Sequence, residues 1–324
     1  MMMSDSASYK SKSKNLFSKI IDPQYLWKTI KTFGIKEFLL ICASISVFAV
    51  LFVFVFLFIE GIQVFFEVSP IEFFFGTTWR PAAIPKYRAW GIAPMIIGSL
   101  MVSFGALAVA IVFGIMAAIY IAEVAPPQIR DFVKPIIEIL AGIPSVVYGF
   151  FGLVILVPWI RETFNVVVGE TAFTGSLILS VMILPTIVSV SEDAISAVPR
   201  HLKEGSLALG ANEFQTLKAV VLPAALSGIL AAIVLAFGRA IGETMAVLMV
   251  TGGSPIIPSP FWNYLSPVRV MTASIAAEMG EAVQGGTHYH ALFAIGIVLF
   301  AITFVLNNVA RRVVRKRIKM LKRL

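Results

Sequence analysis

Two ionisable residues stand inside an otherwise apolar run, in the segment Gly238-Arg239-Ala-Ile-Gly242-Glu243. A charge left unpaired at the centre of a bilayer costs at least ~3 kcal/mol. Four residues apart on a helix, Arg239 and Glu243 project from one face and can pair. Two roles fit that arrangement. The pair could tie helices together as a buried ion pair. Alternatively, Arg239 could meet a passing anion through the parallel hydrogen bonds that guanidinium offers to oxyanions, with Glu243 holding it when the path is empty. Gly238 and Gly242 have the small-xxx-small spacing that lets a second helix approach beside the pair.

Other candidate chemistry is thinner. Gly142-Ile-Pro144-Ser145 interrupts an apolar segment, because Pro144 removes a backbone donor. The interruption is either an ordinary kink or a discontinuous helix aiming free amides at an anion. Lys134 and Glu138 are four apart and are expected to pair, and Glu123 before Pro126-Pro127 reads as a helix-end residue. His288-Tyr-His290 lacks cysteine or carboxylate company at ligand spacing, so no metal site is expected. Gly-x-x-x-x-Gly-Lys-[Ser/Thr] does not occur, and with it goes the phosphate cradle for ATP. No Ser/His/Asp constellation or dinucleotide glycine pattern is convincing. No catalysis and no cofactor are expected in this chain, so energy must come from a partner.

The elements that position these residues follow from composition. Of 324 residues 58% are hydrophobic and 14% charged, and the mean hydropathy is +0.90. That forces an all-α, polytopic membrane bundle. The net charge of +8 collects in short runs beside apolar segments, a topology pattern rather than a nucleic-acid surface. The lone Cys42 excludes an internal disulfide. Residues 1–37 read as a lysine-rich tail with an interfacial helix near Trp27, and 38–90 as a first span and loop. Residues 91–310 read as the core, with a charged loop at 192–218, and 311–324 as a basic tail suited to anionic lipid. Six stretches, at about 38–59, 91–121, 133–158, 173–191, 219–250 and 290–310, meet the requirement of roughly 20 apolar residues.

Of the 26 Lys and Arg residues, 20 fall on the side of both termini and the 192–218 loop, and five on the other. Both termini are therefore expected in the cytoplasm. Within the charged loop, Pro199 suits a first helical turn and Gly210 a left-handed end. Asn212 with Gln215 fits a capped second helix. The product is a helix–turn–helix lying against the membrane.

Glu204-Gly205-Ser206, then Gly210, then Val220-Val-Leu222-Pro223 resembles the EAA loop of bacterial ABC importer permeases. Gly205 and Ser206 stand where that family usually has alanines, and Val220 where it has isoleucine. The stretches 91–99, 118–123, 140–149 and 238–246 are similar to the phosphate-specific permeases, closer to the C-type subunit than to the A-type. The resemblance covers about residues 90–310 and implies the type I (MetI-like) importer permease fold. It also implies a prokaryotic inner-membrane complex with a homologous second permease, two copies of an ABC ATPase that binds ATP and Mg, and an extracytoplasmic phosphate-binding protein. Glu204, Gly205, Ser206, Ala208, Gly210, Leu222 and Pro223 would then contact the ATPase. Molybdate, tungstate or sulfate is the alternative cargo. An ion-coupled transporter working alone would leave the Glu204–Pro223 loop unexplained, and a membrane enzyme would lack a catalytic constellation.

Cysteine labelling by an impermeant reagent tests the orientation. In intact cells, modification is expected at residue 265 and not at residue 8, and the opposite result would invert the bundle.

Overall fold

The computed structural model describes residues 23–321, with side chains described for residues 35–312. Two compact units make up the chain, Met1–Leu57 and Phe58–Leu324. Helix α1, Pro23–Ile62, starts in the first. Its Phe48 and Phe52 are exposed, as befits a surface that meets lipid. No separate interfacial helix stands at Trp27, because Pro23–Ile62 is unbroken. The tail expected over residues 1–22 lies outside the described residues.

In the second unit the end of α1 and a 3-10 turn at Gln63–Phe66 are followed by a short helix, α2 (Pro70–Phe75), and a two-stranded ribbon, β1 (Trp79–Arg80) against β2 (Ala89–Trp90), pairing Trp79 with Trp90. Then come α3 (Ala93–Ile119), ending in a π turn at Tyr120–Val124, and α4 (Pro127–Gly142). Helices α5 (Ser145–Phe151) and α6 (Val157–Thr163) flank a second π turn at Gly152–Leu156. After α7 (Ala172–Ser196), α8 (Arg200–Ala208) and α9 (Glu213–Thr216) form the charged loop. A third π turn, Leu217–Val221, leads into α10 (Leu222–Gly242). The chain closes with α11 (Met245–Val250), α12 (Met271–Glu278) and α13 (Thr287–Leu321).

Among the described residues six helical stretches are long and apolar enough to cross a membrane: Ile35–Phe66, Ala93–Val124, Ser145–Thr163, Ala172–Ser196, Glu213–Gly242 and Thr287–Arg312. The count agrees with the sequence, but two boundaries do not. The stretch expected at 133–158 is cut at residues 143–144. Its first half belongs to α4, whose Arg130, Asp131, Lys134 and Glu138 make it too charged to span. The stretch expected to run to 250 stops at Gly242, where the backbone turns extended at Glu243.

Helix α7 is the centre of the bundle, with 61% of its apolar window buried, more than any other span. Val102, Ala106, Leu179, Ile183, Ala236 and Val247 meet in one core around it. Small residues permit the approach of α3. A methyl at Gly105 would lie 2.4 Å from Ser176 Oγ. At the charged-loop end a second core forms around Ala118, Ile195, Val221 and Ile229. At the opposite end Trp79, Trp90, Ile92, Met271, Leu292 and Ile295 form a third.

Glu192 fastens α4 to this frame. Its side chain is only 2% exposed, and it accepts from Arg130 and, at 2.7 Å, from Lys134 Nζ. Lys134 also reaches Asp193 at 2.9 Å. The Lys134–Glu138 pair expected within α4 therefore gives way to bridges between helices, because the buried carboxylate of Glu192 has the greater need of a partner. The hydrogen bonds to Glu192 and then Asp193 push the Lys134 ammonium above its ordinary value. A raised lysine stabilises fully below its unfolded value and loses that contribution only as pH climbs through the folded one.

Glu192→Gln should destabilise the solubilised protein. The half-exposed cations reduce the ~3–5 kcal/mol of a broken buried pair to about 1–2 kcal/mol. In thermal melts, the gap between wild type and variant should be flat through neutral pH and shrink only above about pH 10. A gap that closed by pH 8 would contradict the lysine bridge.

Candidate functional site

Arg239 lies in the last turn of α10, and Glu243 is the residue that ends it, with φ −68° and ψ 137°. Helical phase is lost between them, so the i,i+4 pair expected from the sequence does not form. Among the described residues no ion pair joins the two. Glu243 Oε1 instead accepts the Ala246 amide at 3.4 Å, over the start of α11. The Glu243 carbonyl accepts from Thr272 Oγ1 at 2.7 Å. Arg239 Nη1 donates to Thr186 Oγ1 on α7 at 3.4 Å. The arginine is half-buried and opens onto a cleft of about 760 Å³ between α10 and α13, which Gly238 also lines. The small-residue face expected to receive a helix is unoccupied among the described residues. A methyl at Gly238 or Gly242 would meet nothing within 4 Å.

The second break, Gly142-Ile143-Pro144-Ser145, is a true discontinuity. Gly142 ends α4, Ile143 and Pro144 are extended (ψ 130° and 139°), and Ser145 begins α5. Tyr148 Oη spans the gap by donating to the Leu140 carbonyl at 2.8 Å. Helices α5 and α11 pack so closely that a methyl at Gly149 would lie 2.9 Å from Ala246 Cα. The two broken helices thus touch. Sequence reading missed this junction. The signal was Gly242 followed by Glu243 and Thr244, a helix end running straight into cap-forming residues.

In the charged loop the local chemistry is as expected. Pro199 directly precedes α8, and Gly210 has φ +88°, a conformation that costs other L-residues ~1–2 kcal/mol. The capping box closes, with the Gln215 amide on Asn212 Oδ1 at 2.8 Å and the Asn212 amide on Gln215 Oε1 at 2.9 Å. Ser206 Oγ and Thr216 Oγ1, 3.0 Å apart, join the two short helices. Glu204, Gly205, Ala208 and Gly210 are exposed, and so are the apolar tips of Leu209 (91%) and Phe214 (71%). Leu222 and Pro223 lie behind them, in the first turn of α10.

Glu123 is more than a helix end, because its carboxylate takes a hydrogen bond from Lys203 of α8. Two π turns, Tyr120–Val124 and Leu217–Val221, flank this contact. Both contribute to a cleft of about 370 Å³ bordered by Glu123, Lys203, Leu207 and Phe214. Glu123 itself lies within the first of these π turns.

At the opposite end, His288 belongs to a structural cluster around Glu278. That carboxylate accepts from Trp79 Nε1 (3.0 Å) and Arg269 Nη1 (2.6 Å), and lies 2.8 Å from His288 Nε2. His290 faces away, toward the Glu60 carbonyl at 3.0 Å. The two histidines are separated by one residue in sequence but do not share a site.

Glu123→Gln tests the loop's anchoring. A partly buried pair of this kind is worth about 1 kcal/mol. Amide exchange across Arg200–Ala208 should therefore quicken roughly 5-fold, with α7 unchanged. Unaltered exchange in α8 would show that packing alone holds the loop.

Residues 110–319 match the family described as the binding-protein-dependent transport system inner membrane component. A probable ABC transporter permease of Bacillus subtilis is 41% identical over 268 residues, covering 82% of this chain and 84% of its own. The phosphate transport system permease PstC of Mesorhizobium japonicum is 34% identical over 259 residues, covering 74% and 77%. Among solved structures, a chain of a bacterial ABC transporter involved in import of the acidic polysaccharide alginate superposes with a TM-score of 0.57 at 18% identity. That match covers 90% of this chain and 98% of the other. A chain of the inward-facing MetNI methionine ABC transporter gives 0.55 at 19% identity, covering 70% and 95%. At those identities the likeness is one of fold.

Proposed function

The chain belongs to the family of binding-protein-dependent transport system inner membrane components, and on that premise we propose that it is the C-type permease subunit of an ATP-driven importer of inorganic phosphate. The single observation that carries the reading is Arg239, an intramembrane guanidinium without a carboxylate partner among the described residues, facing a cleft. A structural ion pair would have consumed that charge. A free fork of donors suits an oxyanion instead. The names of the PstC relatives support phosphate as the cargo.

The mechanism is alternating access. Both termini and the 199–216 helices face the cytoplasm. There, Glu204, Gly205, Ser206, Ala208 and Gly210 form the surface that docks on an ABC ATPase, with Leu209 and Phe214 as its apolar anchors. ATP and Mg bind that partner, and this chain performs no catalysis of its own. Closure of an ATPase dimer pushes on α8 and α9. Lys203–Glu123 and the two π turns pass the motion to α3 and α10. A homologous second permease covers the open Gly238–Gly242 face and completes the path, and an extracytoplasmic phosphate-binding protein delivers the anion from the opposite side.

Two experiments in reconstituted complexes of equal abundance test this. Arg239→Met with Glu243→Gln should assemble normally yet lose at least ten-fold in phosphate uptake. Arg239→Lys should also be impaired, because a point charge cannot make the fork contact. Near-normal uptake by the double variant would remove Arg239 from the anion path and leave it a structural role through Thr186. Gly210→Val opposes the left-handed turn and should leave ATP hydrolysis running without uptake. Normal coupling in that variant would remove the docking role from the loop.

A further inference from the structure

The cleft that Arg239 opens onto holds a second guanidinium. Its lining comprises Ala231, Val234, Leu235, Gly238 and Arg239 from α10, and Asn307 and Arg311 from α13. No carboxylate among the described residues borders it. Among the described residues neither arginine forms an ion pair, and the Asn307 side chain has no hydrogen-bond partner. Asn307 and Arg311 are four apart on α13, so they present to the cleft from one face, about 6 Å apart along the axis. The α10 wall repeats at i, i+3, i+4 and i+7, one continuous helical face. Two of its members, Ala231 and Gly238, are small, which is what leaves room of about 760 Å³. Like charges gathered in a largely apolar cleft repel and are poorly solvated. An anion between them relieves both problems.

We infer that Asn307 and Arg311 form a second contact station for the transported phosphate, on the charged-loop side of Arg239. The inference rests on the reading of Arg239 given above and extends it along the path. In sequence Arg311 opens the basic run that reads as a lipid anchor, yet its side chain lines the cleft instead. Along α13 it lies 24 residues, about 36 Å, from Thr287, one turn further toward the charged-loop end than Asn307. A phosphate released by Arg239 therefore meets the Asn307 amide and then Arg311 before reaching water. The two stations differ in kind. Arg239 is half-buried and tethered to Thr186, which suits selection by the fork. Arg311 is exposed, which suits brief capture and release.

Uptake of inorganic phosphate by the complete reconstituted transporter tests the assignment, with ATP hydrolysis measured in parallel. It is run in vesicles of phosphatidylcholine with and without phosphatidylglycerol. Arg311→Gln should assemble in normal amounts, retain ATP hydrolysis, and lose about five- to ten-fold in uptake, equally in both lipids. Arg311→Lys should recover most of the rate, because an exposed station needs charge more than fork geometry. Asn307→Leu, which keeps both charges, should lose a smaller factor, about two- to three-fold. Normal uptake by Arg311→Gln while Arg239→Met fails would overturn the second station and leave the Arg239 reading intact. Normal uptake by Arg239→Met would overturn both. A defect in Arg311→Gln confined to vesicles containing phosphatidylglycerol would overturn the station in favour of a lipid headgroup contact.

Discussion

A backbone amide in hydrocarbon has no water to bond, so a membrane chain must satisfy its polar groups internally or cover them with protein. That constraint makes every span of this chain a helix. It also dictates where the helices can stop. Both interruptions, 142–145 and 242–245, fall where α5 and α11 lie against one another. Side chains stand in for the missing turns, Tyr148 on the Leu140 carbonyl and Glu243 on the Ala246 amide. Either break standing alone in lipid would leave donors and acceptors orphaned.

The same constraint explains how a charge survives beside the breaks. Arg239 is positioned by a helix end rather than by a carboxylate one turn away, and its contact with Thr186 is long. Glu243 is occupied as a cap. The consequence is a guanidinium that is held in place but not neutralised among the described residues, bordering a cleft that contains a second one. An anion path needs fixed positive charge without a resident counter-ion, and the helix break is what separates the two.

Away from the cleft, carboxylates tie the bundle at both ends, and at one of them aromatic packing joins in. At the charged-loop end Glu192 collects Arg130 and Lys134, and Glu123 takes Lys203. At the opposite end Trp79, Arg269 and His288 converge on Glu278 under a core of Trp90, Ile92 and Leu292. The π turns at Tyr120–Val124 and Leu217–Val221 sit only at the first of these ends, next to the loop through which force would arrive.

Much of this was legible in the residues themselves. Hydrophobic runs longer than the bilayer is thick leave no choice but helices, so the six spans and the all-α class followed from composition and length. The loop was equally readable. Pro199, Gly210, Asn212 and Gln215 act on backbone atoms within four residues, and such local chemistry survives into the fold. The partners of charges were not readable. Lys134 chose Glu192 over Glu138, Glu123 chose Lys203, and Arg239 was separated from Glu243. Spacing on a helix states which side chains could meet, whereas the desolvation of buried groups decides which must, and burial is set by packing between helices distant in sequence. For the same reason only the tertiary structure brought Arg311 and Asn307 to the cleft of Arg239, across some seventy residues of chain.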